Sequence, residues 1–110
     1  MDYTISYYSD EVEAEVLGLP DTLQARYASL TQRMLGAGAN LGNPHTKAVG
    51  GGLFELRLKG AEGIARVFYC TIKGRRIVML HSFVKKSQKT PPRERRIAET
   101  RMKEIKHANP

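Results

Sequence analysis

Thiol chemistry is nearly absent from this sequence. Its one cysteine, Cys70, has no partner for an internal disulfide, and it lies in an apolar stretch where it packs as a small hydrophobe. A chain that needs no oxidation suits a reducing compartment. Long hydrophobic runs are missing too. None approaches the roughly 18 apolar residues of a membrane-spanning helix, and the first residues carry neither the basic nor the apolar segment of a secretory signal. The expectation is a cytoplasmic protein with no membrane attachment. The chain also lacks a phosphate-binding GxxxxGK[ST] loop, a GxGxxG following a strand, a cysteine–histidine spacing for zinc and a nucleophile elbow. Nucleotide hydrolysis, dinucleotide chemistry and structural zinc therefore have no support, and neither a metal nor a cofactor is expected. Val49-Gly50-Gly51-Gly52-Leu53 is only a weak glycine signal; it precedes a strand and reads as a flexible lead into a sheet.

Acidic residues are scarce in one half only. Residues 1–52 hold six acids and three bases, whereas residues 53–110 hold five acids and fifteen bases, so a net charge of +7 divides into −3 and +10. A basic half of this strength marks a footprint for a polyanion, because each lysine or arginine near a phosphate releases condensed counterions. The plainer alternative is a solubilising surface. The positions of the charges must decide. At 110 residues and 41% hydrophobic, the chain has the size and composition of one globular domain spanning residues 1–110.

Along the chain, Tyr3–Tyr8 alternates like a half-buried strand. Ser9 with Asp10 and Glu11 starts a short helix carrying Val12, Val16 and Leu17, which Gly18-Leu19-Pro20 breaks. Asp21 or Thr22 caps a second helix with Leu23, Tyr27, Leu30 and Met34 at helical spacing, stopped at Gly36. Residues 36–52 read as a mobile connection containing His45-Thr46-Lys47. Three strands follow at Leu53–Leu58, Ile64–Ile72 and Arg76–Lys85, an antiparallel meander whose last strand, apolar on both faces at Ile77–Leu80, is central. Thr90 as N-cap and Pro91 at the first position then open a basic helix with Ile97, Met102 and Ile105 as its apolar stripe. The fold class is α+β: a small, mainly antiparallel twisted sheet with two N-terminal helices on one face, and a C-terminal helix.

Hairpin register places the basic residues. A Gly60–Gly63 loop sets Arg57 opposite Arg66 and Glu55 opposite Phe68, and a two-residue Lys73-Gly74 turn carries Arg66 opposite His81. Arg57, Arg66 and His81 then form one row, with Glu55, Lys85, Phe68, Met79 and Phe83 on the same face. Phe54, Leu56, Leu58, Val67, Tyr69, Val78, Leu80 and Val84 fall on the other face, against the N-terminal helices. Opposed cations destabilise a sheet by about 0.2–1 kcal/mol per pair, so stability alone does not favour the row. A phosphate partner would explain it. Arg57 could instead pair with Glu55 or Glu62, and a lone His81 could be an ordinary half-buried histidine; His45 and His107 read as incidental.

Leu53-Phe54-Glu55-Leu56-Arg57, Arg66-Val67-Phe68-Tyr69 and the H-F-x-K-K-x-x-K-T-P block from His81 to Pro91 resemble the HigB branch of the RelE/ParE toxin superfamily, to which phage-derived Gp49-like proteins are related. The likeness covers residues 53–106; the N-terminal half matches in layout only. It implies a RelE-like fold and the toxin of a type II toxin–antitoxin pair, with a helix-turn-helix, HigA-like antitoxin as partner and room for a heterotetramer with it. It also implies ribosome-dependent cleavage of mRNA without metal, inhibiting translation. By position, Arg57, Arg66, His81 and Lys85 are the implied catalytic residues, with Lys86 as the alternative to Lys85 for the basic position at the end of the last strand. Lys86, Lys89, Lys59 and Arg93 are the basic residues toward RNA and ribosome. The C-terminal tyrosine of RelE-like members has no counterpart, since no tyrosine follows Tyr69. In this reading Arg57 and Arg66 hold phosphate oxygens, Lys85 and Lys86 hold the substrate backbone, and His81 moves a proton. The alternatives are a ParE-like poison of DNA gyrase on the same scaffold, and a nucleic-acid-binding module without catalysis.

Overall fold

A computed structural model of the protein describes residues 2–86 and 89–109. In chain order they form β1 (Thr4–Tyr7), α1 (Asp10–Leu17), α2 (Asp21–Ala37), β2 (Thr46–Gly50), β3 (Leu53–Gly60), β4 (Gly63–Ile72), β5 (Arg76–Lys85) and α3 (Pro92–Ala108). The strands make one sheet in the order β1-β5-β4-β3-β2, antiparallel except where β1 runs parallel to β5. The class is α+β as expected, and β5 is an interior strand between β1 and β4, with β4 in the middle of the sheet. Helices α1 and α2 cover one face of the sheet and α3 the other.

Local chemistry sets the helix ends. The Ser9 hydroxyl accepts from the Val12 N–H, and Asp10, Glu11 and Glu13 crowd the first turn, where the helix dipole favours negative charge. Helix α2 begins after Pro20 rather than with Asp21 or Thr22 as cap. One of its free N–H groups is met from across the fold: Thr22 N–H donates to Glu62 Oε1 at 2.8 Å, and Thr22 Oγ1 accepts from Glu62 N–H at 3.1 Å. It runs past Gly36 to Ala37 and ends at Gly38, whose φ of 106° suits glycine. Helix α3 starts one residue later than expected, with Pro91 as N-cap and Pro92 first in the helix.

The glycine-rich stretch read as a connection contains β2. Its short, mostly exposed run of Thr46-Lys47-Ala48-Val49-Gly50 pairs with β3 alone, so little burial marks it in the sequence.

The β4–β5 register differs from the expected one twice. The turn uses three residues, Lys73–Arg75, with Arg75 at a φ of 58°, so that Ile72 faces Arg76. A β-bulge then inserts Leu80: Tyr69 faces Met79, but Phe68 faces His81 and Arg66 faces Phe83. Hence Arg66 is not opposite His81. The bulge also redistributes the core. Ile77 and Met79 pack with Leu56, Leu58, Val67 and Tyr69 under α1 and α2, whereas Val78 and Leu80 join Leu53, Phe68 and Cys70 under Ala98 and Met102 of α3. The expected placing of Val78 and Leu80 beneath the N-terminal helices is thereby corrected, and Val84 is exposed.

Candidate functional site

The site begins on the α3 side of β3 and β4. Arg57 and Arg66 stand directly opposite each other, as their register requires. What keeps the two cations together is Glu55, only 5% exposed. Its Oε1 lies 2.8 Å from Arg66 Nε and 3.5 Å from Arg57 Nε. These are ion pairs without hydrogen-bond alignment, for both Nε atoms are shielded from solvent and neither has an aligned acceptor among the described residues. Burial pushes the Arg66 guanidinium below its ordinary pKa and Arg57 adds to the effect, while Glu55 opposes both.

Lys85, opposite Ile64 on β5, shares this face. Its ammonium is held below the ordinary lysine value, first by desolvation and then by the charges of Arg66, Arg57 and Lys47, against the pull of Glu55. Lys47 comes from β2, where it faces Glu55 across the strands. It was given no role in the sequence, where the run His45-Thr46-Lys47-Ala48-Val49-Gly50 shows no strand-like alternation. Lys47, Glu55, Arg57 and Lys85, together with Lys89 and Arg95, border a cleft of about 490 Å³ between the sheet and the start of α3, while Arg66 lies beneath Arg57 and Glu55 at its edge.

His81 stands apart from the arginines, in a pair of its own. Its Nε2 lies 2.6 Å from Glu94 Oε1 on α3, its ring stacks near Phe83 at 6.1 Å, and its Nδ1 is buried without a hydrogen-bond partner among the described residues. The bulge explains this association, since it turns both Leu80 and His81 toward α3, and Arg101 of α3 donates to the Leu80 carbonyl at 2.8 Å.

The other basic residues fall around the cleft. Lys89 borders it, and Lys86 is exposed just beyond β5. Lys59 lies in an adjoining hollow of about 270 Å³ that Arg57 and Arg66 also line, with Arg26 and His45. Arg93 points elsewhere, into a depression beside Tyr8, Arg96 and Arg101. Ser87 and Gln88, inside the H-F-x-K-K-x-x-K-T-P block, lie outside the described residues.

The arrangement can bind an anion with two guanidiniums, supply an acidified ammonium, and offer a carboxylate beside both. Among the described residues, no helix is long and apolar enough to cross a membrane. A search of curated proteins found no match for the sequence. The profile of the family described as phage-derived protein Gp49-like (DUF891) matches residues 14–103, a span that includes α2 and every residue bordering the cleft. The chain therefore belongs to the Gp49-like phage-derived protein family.

Proposed function

We propose that this protein is the toxin of a toxin–antitoxin pair and that it inhibits translation by cleaving mRNA on the ribosome at the cleft bordered by Glu55, Arg57 and Lys85. The observation that carries the reading is the pair of guanidiniums, Arg57 and Arg66, held side by side at the one carboxylate of Glu55, with Lys47 and Lys85 on the same face. A phosphate diester offers oxygens to both. The family membership supports the toxin role, and the resemblance to HigB-like toxins suggests a helix-turn-helix antitoxin as partner.

Cleavage proceeds by attack of the 2′-hydroxyl oxygen on the adjacent phosphorus. A new P–O2′ bond forms and the P–O5′ bond breaks, leaving a 2′,3′-cyclic phosphate and a free 5′-hydroxyl. Arg57 and Arg66 neutralise the non-bridging oxygens as charge builds on them. The carboxylate of Glu55, beside both guanidiniums, takes the 2′-hydroxyl proton. Lys85, acidified by desolvation and then by its positive neighbours, donates a proton to the departing O5′. His81 acts as a positioning residue, fixing the first turn of α3 through Glu94. The route assigns charge stabilisation to the arginines.

Arg57→Ala should abolish cleavage with the fold retained, because Arg57 is a third exposed while Arg66 keeps Glu55 paired. Glu55→Gln should lower kcat by roughly 10²–10⁴, the range of general-base catalysis, with KM little changed. Single-turnover assays on programmed ribosomes measure both. Full cleavage by Arg57→Ala would exclude the assignment.

A further inference from the structure

The geometry points to a second nucleotide subsite, in the hollow between the β2–β3 turn and the middle of α3, which takes the stretch of single-stranded RNA flanking the cleaved bond. It rests on the RNA-cleaving reading above and extends it.

The hollow, of about 630 Å³, is larger than the cleft itself, and Arg95 borders both. The guanidinium of Arg95 is fixed at their junction by donating to the Val49 carbonyl. Beyond it, successive turns of α3 bring Lys103 and Lys106 to the same wall, the spacing that places residues on one helix face. The one acid there, Glu99, is 3.2 Å from Arg95 Nε and so already paired, which leaves the wall net positive.

The opposite wall is formed by Gly50 and Gly51 of the Gly50-Gly51-Gly52 turn, whose φ values are 108°, 64° and 92°. It presents bare backbone. A Cβ on Gly52 would sit 2.6 Å from Lys106 Nζ, so the missing side chain is what lets that ammonium lie across the turn. Met102 adds an apolar patch. Ammonium groups, bare backbone and apolar surface in one cavity suit the alternating phosphate and base of a single strand, and a small inorganic anion would leave most of the volume unfilled. Arg95 borders both hollows, so a strand leaving the reactive cleft passes its guanidinium on the way to α3.

The test is binding of 2′-O-methyl RNA, which the proposed chemistry cannot cut, by fluorescence anisotropy across a salt series. A trinucleotide, able to fill only the cleft, is compared with an oligonucleotide long enough to reach α3. Lys103 and Lys106 are exposed, so Lys103→Gln/Lys106→Gln leaves the fold unchanged, which circular dichroism checks. The double variant should weaken the long oligonucleotide roughly tenfold and flatten its salt slope by about 1.4, at about 0.7 for each phosphate no longer neutralised, with the trinucleotide unaffected. Equal weakening of both lengths, or of neither, would overturn the subsite while leaving the cleft reading intact. Loss of antitoxin affinity with RNA binding preserved would also overturn it, assigning the hollow to the protein partner. Failure of the unaltered chain to bind either RNA would overturn the subsite, whereas the cleavage reading stands or falls with Arg57→Ala on programmed ribosomes.

Discussion

Two arginines directly opposed on neighbouring strands would be a defect if they stood alone, and Glu55 is what makes the arrangement tolerable. The carboxylate and Arg66 are both nearly buried, where breaking a charge pair by removing one partner costs about 3–5 kcal/mol. Arg57 remains near Glu55 when Arg66 is lost, so Arg66→Ala should cost toward the lower end of that range. Glu55→Ala/Arg66→Ala should be less destabilised than the sum of the single variants, as urea titration of all three measures; strict additivity would mean that the two do not interact. Lys85 carries a second prediction at this scale. An ammonium that donates a proton is active only below its own pKa, so cleavage should decline with rising pH before the ordinary lysine range is reached. Lys47→Gln removes one of the charges that depress Lys85 and should move that alkaline limb to higher pH. An unmoved limb would separate Lys85 from proton transfer. Arg57 and Arg66 were legible in the sequence because the β3–β4 loop fixes their register without ambiguity. Lys47 was not, since it sits on a strand that buries little.

Among the elements, the expected alternation and helical periodicity identified β1, β3, β4, β5 and all three helices, with ends displaced by one or two residues. Two features escaped because each depends on tertiary context. The one-residue lengthening of the Lys73–Arg75 turn and the bulge at Leu80 leave no mark on apolar patterning when β5 is apolar on both faces. Each shifts the register by one, and together they carry His81 away from Arg66 and toward Glu94. The N-terminus of α2 is a further case, capped from the β3–β4 loop by Glu62 rather than by its own sequence. That junction needs Gly60 to have no side chain: a Cβ there would lie 2.7 Å from Thr22 Oγ1 and 2.9 Å from its Cβ. Gly60→Ala should therefore force α2 from the loop and destabilise the protein by about 1–3 kcal/mol, read as a lower urea midpoint with an unchanged slope. A neutral Gly60→Ala would show that this junction yields freely.

For the whole molecule, the division of charge seen in the sequence becomes a division of labour. The acidic N-terminal half supplies α1 and α2, which close one face of the sheet, and the basic half supplies most of the cleft, its approaches and α3. Burying both faces of the central strands fixes Arg57 and Arg66 on a rigid floor, the condition for electrostatic stabilisation without reorganisation. The most direct measurement is to induce the protein in bacteria, beside Arg57→Ala, and to map new RNA 5′ ends within minutes. The account predicts ends inside translated codons, bearing 5′-hydroxyls, that vanish in the variant. Growth arrest without such ends would contradict it and point to gyrase poisoning or to binding alone; ends that persist in Arg57→Ala would place the chemistry outside this cleft.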